Sequence, residues 1–139
     1  MFQVVIDTNV LIAALRSQRG ASYRLLMLIG DTRWSINLSV PMLFEYEAVA
    51  KRRTLGLDLT NDEIDAVLDY ICAEGYHREI FYLWRPMLPD PKDDFILELA
   101  VESQSDFIIT HNMRHFVGAE KFGISAVTPG EFLRRLRGT

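Results

Sequence analysis

The chain has 139 residues, of which 49% are hydrophobic and 24% charged, and its formal net charge is −4. This composition predicts one globular domain spanning residues 1–139, and the acidic balance argues against a passive nucleic-acid coat protein, which is normally basic. No apolar run reaches membrane-spanning length and no signal peptide is evident, so we expect no membrane association. Cys72 is the only cysteine, which excludes an intrachain disulfide and favours a reducing, cytoplasmic location.

Short apolar segments alternate with amphipathic ones along the chain. Thr60 and Thr128 each stand three residues before a glutamate, which is the capping-box pattern of a helix N-terminus. The alternation favours a parallel sheet that helices cover on both faces. The predicted elements, in order, are a strand at 3–7, helices at 10–15 and 23–29, a strand at 34–38, helices after Ser39 and Thr60, a strand at 79–84, a helix from Asp90, strands at 107–110 and 124–127, and a helix after Thr128.

Polar residues follow two of the predicted strands. Asp7 ends the first strand, and Thr110, His111 and Asn112 end the fourth. An ionised carboxylate at the end of a buried strand needs a partner, a metal ion or solvent. Because ligands bind beyond the carboxyl ends of parallel strands, we expect these two strand ends to form one site.

Further acids are expected near that edge. Glu45 lies early in the helix after Ser39, and Asp90, Asp93 and Asp94 crowd the start of a later helix. Asp90 as an N-cap and Asp93 as a first-turn acid are adequately explained by helix capping and the helix dipole. Asp94 lies beyond the capping positions, and two carboxylates at about 4 Å repel by about 4 kcal/mol at an effective dielectric near 20. A divalent cation that prefers oxygen ligands, Mg²⁺ or Mn²⁺, would offset that repulsion.

Two alternatives concern the residues after the fourth strand. Asn112 is either a site residue or the cap of a short helix running from Met113 to Phe116. His111 and His115 have a spacing that puts them on one helical face, but a zinc site there lacks a third soft ligand.

Five segments, taken in order, resemble the PIN-domain family. They are IDTNVLIAAL at 6–15, FEYEAV at 44–49, DPKDDFILELA at 90–100, DFIITHNMRHF at 106–116 and FGISAVTPGEFL at 122–133. They look most like the branch that includes toxin components of toxin–antitoxin pairs.

The resemblance implies a three-layer α/β/α fold with a mostly parallel sheet of four to five strands, and a metal-dependent ribonuclease acting on single-stranded RNA. By position it implies that the metal-binding and catalytic residues are Asp7, Glu45, Asp94 and Asn112, oriented by Thr8, Asn9 and Thr110. It also implies a homodimer and a cognate antitoxin as partners. The sequence departs from the family pattern at Asn112, where aspartate is usual, and at His115, where a second acid often stands.

Two other functions compete with this interpretation. A phosphatase of the haloacid-dehalogenase kind would use Asp7 as a nucleophile, but its second acid is replaced by Asn9. A catalytically weakened PIN module that binds RNA or a protein would be consistent with Asn112. If the chain is a ribonuclease, the candidate contacts to RNA phosphates are Arg16, Arg19, Arg24, Lys51, Arg52, Arg53 and Arg114.

Overall fold

The computed structural model describes residues 1–80 and 88–138. Within them, five parallel strands form one sheet in the order β3-β2-β1-β4-β5. The strands are β1 Phe2–Ile6, β2 Trp34–Leu38, β3 Tyr76–His77, β4 Phe107–Ile109 and β5 Ser125–Val127. The helices are α1 Thr8–Arg16, α2 Ala21–Met27, α3 Val40–Ala50, α4 Asn61–Glu74, α5 Asp94–Glu102 and α6 Pro129–Arg137, with 3₁₀ turns at Arg53–Leu55, Pro91–Asp93, Met113–Phe116 and Ala119–Phe122. The predicted α/β fold with a parallel sheet is confirmed.

The centre of the sheet is buried on both faces. Every residue of β2 and of β4 is buried, and Val4 and Val5 of β1 are fully inaccessible although they point to opposite faces. Continuous burial of this kind requires helices on both sides of the sheet, as is usual for parallel sheets. The parallel register pairs Ile6 with Ile109, so β1 and β4 end side by side.

The third strand differs from its prediction. The apolar stretch 79–84 predicted a strand, but the structure places β3 at Tyr76–His77, and Glu79 and Ile80 lie in no regular element. Residues 81–84 of the predicted strand lie outside the described residues. Both residues of β3 are exposed, so this edge strand has no hydrophobic pattern by which sequence analysis could find it.

The helix starts follow the predicted caps at three positions and depart at one. Ser39 accepts a hydrogen bond from the Met42 backbone N–H, and Thr60 forms both bonds of a capping box with Glu63. Thr128 accepts from the Glu131 backbone N–H. The helix predicted from Asp90 begins instead with the 3₁₀ turn Pro91–Asp93, and α5 starts at Asp94. That shift changes the direction in which the neighbouring acids point.

Tyr46 fixes α3 against the end of β1. Its side chain is 1% exposed, and its hydroxyl donates a hydrogen bond to the carbonyl of Ile6, the residue before Asp7. Burial, together with the charge of Asp7, raises the pKa of Tyr46, so the hydroxyl keeps its proton. The bond sets the position of Glu45, the preceding residue, relative to Asp7.

Replacing Tyr46 with phenylalanine tests this link. Tyr46→Phe removes the donor and leaves a buried carbonyl unpaired, and we expect a loss of about 1 kcal/mol in the free energy of unfolding. Urea denaturation would show a lower midpoint at an unchanged slope. Tyr76→Phe, on an exposed tyrosine, is the control and should leave the midpoint unaltered. An unshifted midpoint for Tyr46→Phe would contradict the assignment.

Candidate active site

A cleft of about 510 Å³ opens at the carboxyl end of β1. Its walls are α1 and α3, together with the turn before α5 and the residues after β4. The acidic, amide and imidazole side chains that line it are Asp7, Asn9, Glu45, Asp93, Asn112 and His115. The topology therefore brings to one place groups that are more than a hundred residues apart in the chain.

Asp7 lies at the inner end of this cleft, at the N-cap position of α1, but its side chain makes no capping bond. It is 8% exposed, and one carboxylate oxygen accepts a 2.8 Å hydrogen bond from the Thr110 hydroxyl. Burial raises the pKa of Asp7, and the nearby charge of Glu45 adds to the rise. Hydrogen bonds from Thr110 and the Thr8 backbone, and the neighbouring His115, oppose the rise without cancelling it.

Asn9 and Thr110 tie α1 to the residues that follow β4. Asn9 donates its amide N–H to the Thr110 hydroxyl oxygen at 3.5 Å, and its side-chain oxygen accepts from the His111 backbone N–H at 3.3 Å. The Thr110 hydroxyl oxygen also accepts from the Asn112 backbone N–H at 3.0 Å. These contacts link the two chain segments, and the orienting roles of Asn9 and Thr110 in a metal site stay a prediction. Thr8 lines the cleft, and its hydroxyl has no hydrogen-bond partner within the described residues.

The structure places Asp93, rather than the predicted Asp94, in the cleft. Asp94 is fully buried, and one of its oxygens accepts a 2.9 Å hydrogen bond from the Leu88 backbone N–H. Asp93 lines the cleft, and its Oδ2 atom is buried without a hydrogen bond to any described residue. Successive residues of a helical turn point about 100–120° apart, so the two adjacent acids face different directions. Asp93 therefore occupies the place in the cleft that was expected for Asp94.

Asp93 is electrostatically coupled to the other groups. Burial raises its pKa, as does the charge of Asp7, while His115 opposes the rise. The Nδ1 atom of His115 is 3.3 Å from Oδ2 of Asp93, within ion-pair distance although the geometry is not that of a hydrogen bond. Two carboxyl groups with raised pKa values thus face one cleft, which is a frequent property of functional sites.

Glu45 and Asn112 complete the set of oxygen donors. Glu45 is half-buried on α3, close enough to Asp7 to affect its pKa. Asn112 stands at the N-cap position of the 3₁₀ turn Met113–Phe116, but its side chain makes no capping bond. The expected alternative, that Asn112 serves only as a cap, therefore receives no support from this geometry.

The donor chemistry suits a hard divalent cation. Carboxylate and amide oxygens predominate, and Oδ2 of Asp93 has no hydrogen bond within the described chain. Burial raises the pKa values of Asp7 and Asp93 and so disfavours their charged forms, which a bound cation would offset. Among the described residues, no three His, Cys, Asp or Glu side chains already form a closed metal-binding group. An ion held here would need water or a substrate phosphate to complete its ligands, as is common for Mg²⁺.

The zinc alternative does not match the positions of the two histidines. Nε2 of His111 is 3.0 Å from the Ser22 hydroxyl, whereas His115 approaches Asp93. The two rings have different partners and do not form a pair of ligands for one ion.

Comparison with known families agrees with the fold. The family model described as the PIN domain matches residues 3–114, and the chain belongs to this family. PIN domains are generally metal-dependent nucleases and typically use divalent ions. A search of curated proteins finds no match to this sequence. No helix in the described part of the chain is long and apolar enough to span a membrane.

The raised pKa of Asp7 leads to a prediction about stability. A carboxyl group whose pKa is higher in the folded state binds protons more tightly there, so its contribution to stability falls as the pH rises from below the ordinary value of 3.8 through the folded pKa. Asp7→Asn removes that charge, and we expect a melting temperature a few degrees above wild type near neutral pH without metal. Below pH 3.8 the difference in melting temperature between the two proteins should become smaller, because Asp7 is then protonated in wild type.

Adding a divalent cation should make wild type more stable to heat than Asp7→Asn, the reverse of the order without metal. At about 100 times its dissociation constant, Mn²⁺ should stabilise wild type by about 2.7 kcal/mol, and Asp7→Asn much less. Thermal melts with Mn²⁺ and with EDTA measure both effects, and Asp58→Asn, on an exposed residue, is the control. Equal stabilisation of wild type and Asp7→Asn by Mn²⁺ would remove Asp7 from the metal site.

Proposed function

We propose that the chain is a divalent-metal-dependent endoribonuclease that hydrolyses phosphodiester bonds of single-stranded RNA. The observation that carries the proposal is the convergence of the buried Asp7 and the partly buried Asp93, both with raised pKa values, on one open cleft. The family's general character as nucleases supports the reaction class. The choice of RNA rests on the sequence resemblance.

In this proposal Asp7 and Asp93 hold Mg²⁺ or Mn²⁺, with Glu45 and Asn112 as further oxygen donors. When bound, such an ion acidifies water and polarises the phosphodiester. The Thr110 hydroxyl and the Thr8 backbone N–H keep the Asp7 carboxylate in one orientation. Asn9 keeps the residues after β4 in register with α1, so the donors lie on a rigid frame, which metal-ligand geometry requires.

The haloacid-dehalogenase alternative finds no support at Asn9. That chemistry needs an acid two residues after the nucleophile, and the side chain found there is committed to contacts with Thr110 and His111. Asn9 connects α1 to the residues after β4, and its side chain carries no carboxylate.

A role as the toxin of a toxin–antitoxin pair, in the cytoplasm, is part of the same proposal and rests on the resemblance. A short adjacent reading frame encoding a DNA-binding partner that suppresses RNA cleavage would support it. We also propose a homodimer, for which the exposed Val40 and Phe44, one turn apart on α3, are candidate contacts. A monomeric mass by light scattering at micromolar concentration would contradict the dimer.

The direct test is cleavage of a labelled single-stranded RNA. We expect cleavage with Mn²⁺ or Mg²⁺, and none with EDTA or in Asp7→Asn. Asp93→Asn should lower turnover by about 100-fold or more, the scale of losing a group that stabilises transition-state charge. Asp94→Asn keeps a side-chain oxygen that can accept the hydrogen bond from the Leu88 backbone N–H. This variant should therefore retain most of the wild-type turnover. The reverse result, with Asp94→Asn inactive though folded and Asp93→Asn active, would restore Asp94 as the site residue.

Asn112 bears on the second candidate function, a PIN module with weakened catalysis. A neutral amide in place of the usual acid leaves the site with about three negative charges at most, so metal binding should be weak. We expect Asn112→Asp to lower the Mn²⁺ concentration for half-maximal cleavage several-fold. Titrations of cleavage rate against Mn²⁺ for both proteins measure this, and superimposable curves would exclude Asn112 from the metal site.

A further inference from the structure

The cleft continues beyond the acidic residues along a groove between α1 and α3. We propose that Arg16 and Arg52, at the far end of this groove, form a phosphate-binding subsite for the RNA strand, away from the phosphodiester that is cut. This inference rests on the proposed function, because it assigns the path of the same substrate. It selects two residues from the seven basic candidates of the sequence.

The groove has opposite chemistry at its two ends. On α1, Thr8, Ile12 and Arg16 follow at intervals of four residues and line the same wall of the cleft. On the other wall, Glu45 and Val49 lead to Arg52, just beyond the end of α3. Each wall therefore runs from a polar or acidic residue, through an aliphatic one, to an arginine.

The length of the groove separates the two ends. Eight residues of α1 rise about 12 Å from Thr8 to Arg16, which is more than the step between neighbouring phosphates along one strand. The backbone of Arg16 is therefore more than one phosphate step from that of Thr8, which leaves room for two different phosphates along the groove. A strand along the groove would bring a different phosphate to the arginines, at least one nucleotide away.

A local contact ties Arg16 to the turn next to Arg52. The Arg16 guanidinium donates a 3.3 Å hydrogen bond to the carbonyl of Leu55, in the turn that directly follows Arg52. Both side chains are exposed, and within residues 1–80 and 88–138 neither is in an ion pair with a carboxylate. Lys51 differs, because Asp65 at 2.6 Å and Glu47 at 3.5 Å already engage its ammonium group.

The chemistry of the groove fits a nucleic-acid backbone. Guanidinium groups bind phosphate oxygens through paired N–H donors, and unpaired arginines retain their full charge for a ligand. The acidic end repels RNA when no metal is present, so a separate basic contact is needed for the strand to stay. Among the described residues, the floor between the ends is lined by the aliphatic side chains of Ile12, Ala13 and Val49 and has no aromatic ring for stacking. Contacts of this kind bind a strand without reading its bases.

The consequence for kinetics is a dependence on substrate length. An oligonucleotide long enough to reach the arginines should have a lower KM than one that ends at the acidic site. The kcat values of the two should be alike, since the remote contact is made equally in the ground state and the transition state.

The test measures RNA binding without catalysis. Fluorescence anisotropy of a labelled single-stranded oligonucleotide is recorded in EDTA across a range of salt concentrations. For each phosphate-binding arginine lost, the magnitude of the slope of log K against log salt should decrease by about 0.7. Arg16→Gln and Arg52→Gln should each show this decrease, and the double variant about twice as much. With Mn²⁺, the same variants should raise KM several-fold and leave kcat unchanged.

The controls use arginines outside the groove and a change that keeps the charge. Arg19→Gln and Arg53→Gln remove charges next to the groove that do not line it, and they should leave the slope unchanged. Arg16→Lys retains the charge and should keep the wild-type slope while weakening binding, which gives a readout even if Arg16→Gln does not fold.

Each outcome separates this inference from the proposed function. If wild type cleaves RNA but the groove variants keep the wild-type slope and KM, the subsite is wrong and the nuclease stands. If wild type cleaves no RNA with any divalent ion, yet the slope falls only in the groove variants, the subsite stands and the nuclease is wrong. Equal effects of the control and groove arginines, or no salt-dependent binding by wild type, would overturn the subsite.

Discussion

The parallel pairing of β1 with β4 is the constraint on which the site depends. Because Ile6 and Ile109 lie side by side, the next residues of both strands emerge together, and the Thr110 hydroxyl reaches the Asp7 carboxylate. A shift of one residue in this register would turn Asp7 or Thr110 to the other face of the sheet. The register is secured by a core in which Val4, Val5, Ile108 and Ile109 are fully buried. Ordinary packing of the sheet thus fixes the geometry of the polar groups.

The polar groups in turn oppose folding. Burial raises the pKa values of both Asp7 and Asp93, and repulsion adds to the rise, from Glu45 at Asp7 and from Asp7 at Asp93. The ionised form of each is therefore less stable in the folded chain than in the unfolded one. His115 opposes part of the rise in both pKa values. With asparagine at position 112, the cleft carries less negative charge than a four-acid site. Less negative charge in the cleft means a smaller electrostatic cost of folding.

Sequence analysis could find the site groups whose positions follow from the order of the strands. It chose the wrong acid where the choice depends on the residue at which a helix starts. Asp7 and Thr110 were predictable because a buried strand ends at each of them, and parallel strands end at a common edge. Asp93 was given a purely structural explanation and Asp94 was preferred, since adjacent acids look alike in a sequence. Only the 3₁₀ turn Pro91–Asp93, which shifts the start of α5 to Asp94, shows which acid faces the cleft.

Within residues 1–80 and 88–138, the two outer strands of the sheet are short, with two residues in β3 and three in β5. An edge strand exposes unpaired backbone groups, which can recruit a strand from another molecule and start aggregation. Edges of this length offer too few such groups for a second sheet to grow onto them. Self-association of this protein should therefore proceed through helix surfaces, and a crowded solution should favour discrete oligomers over extended β-sheet polymers.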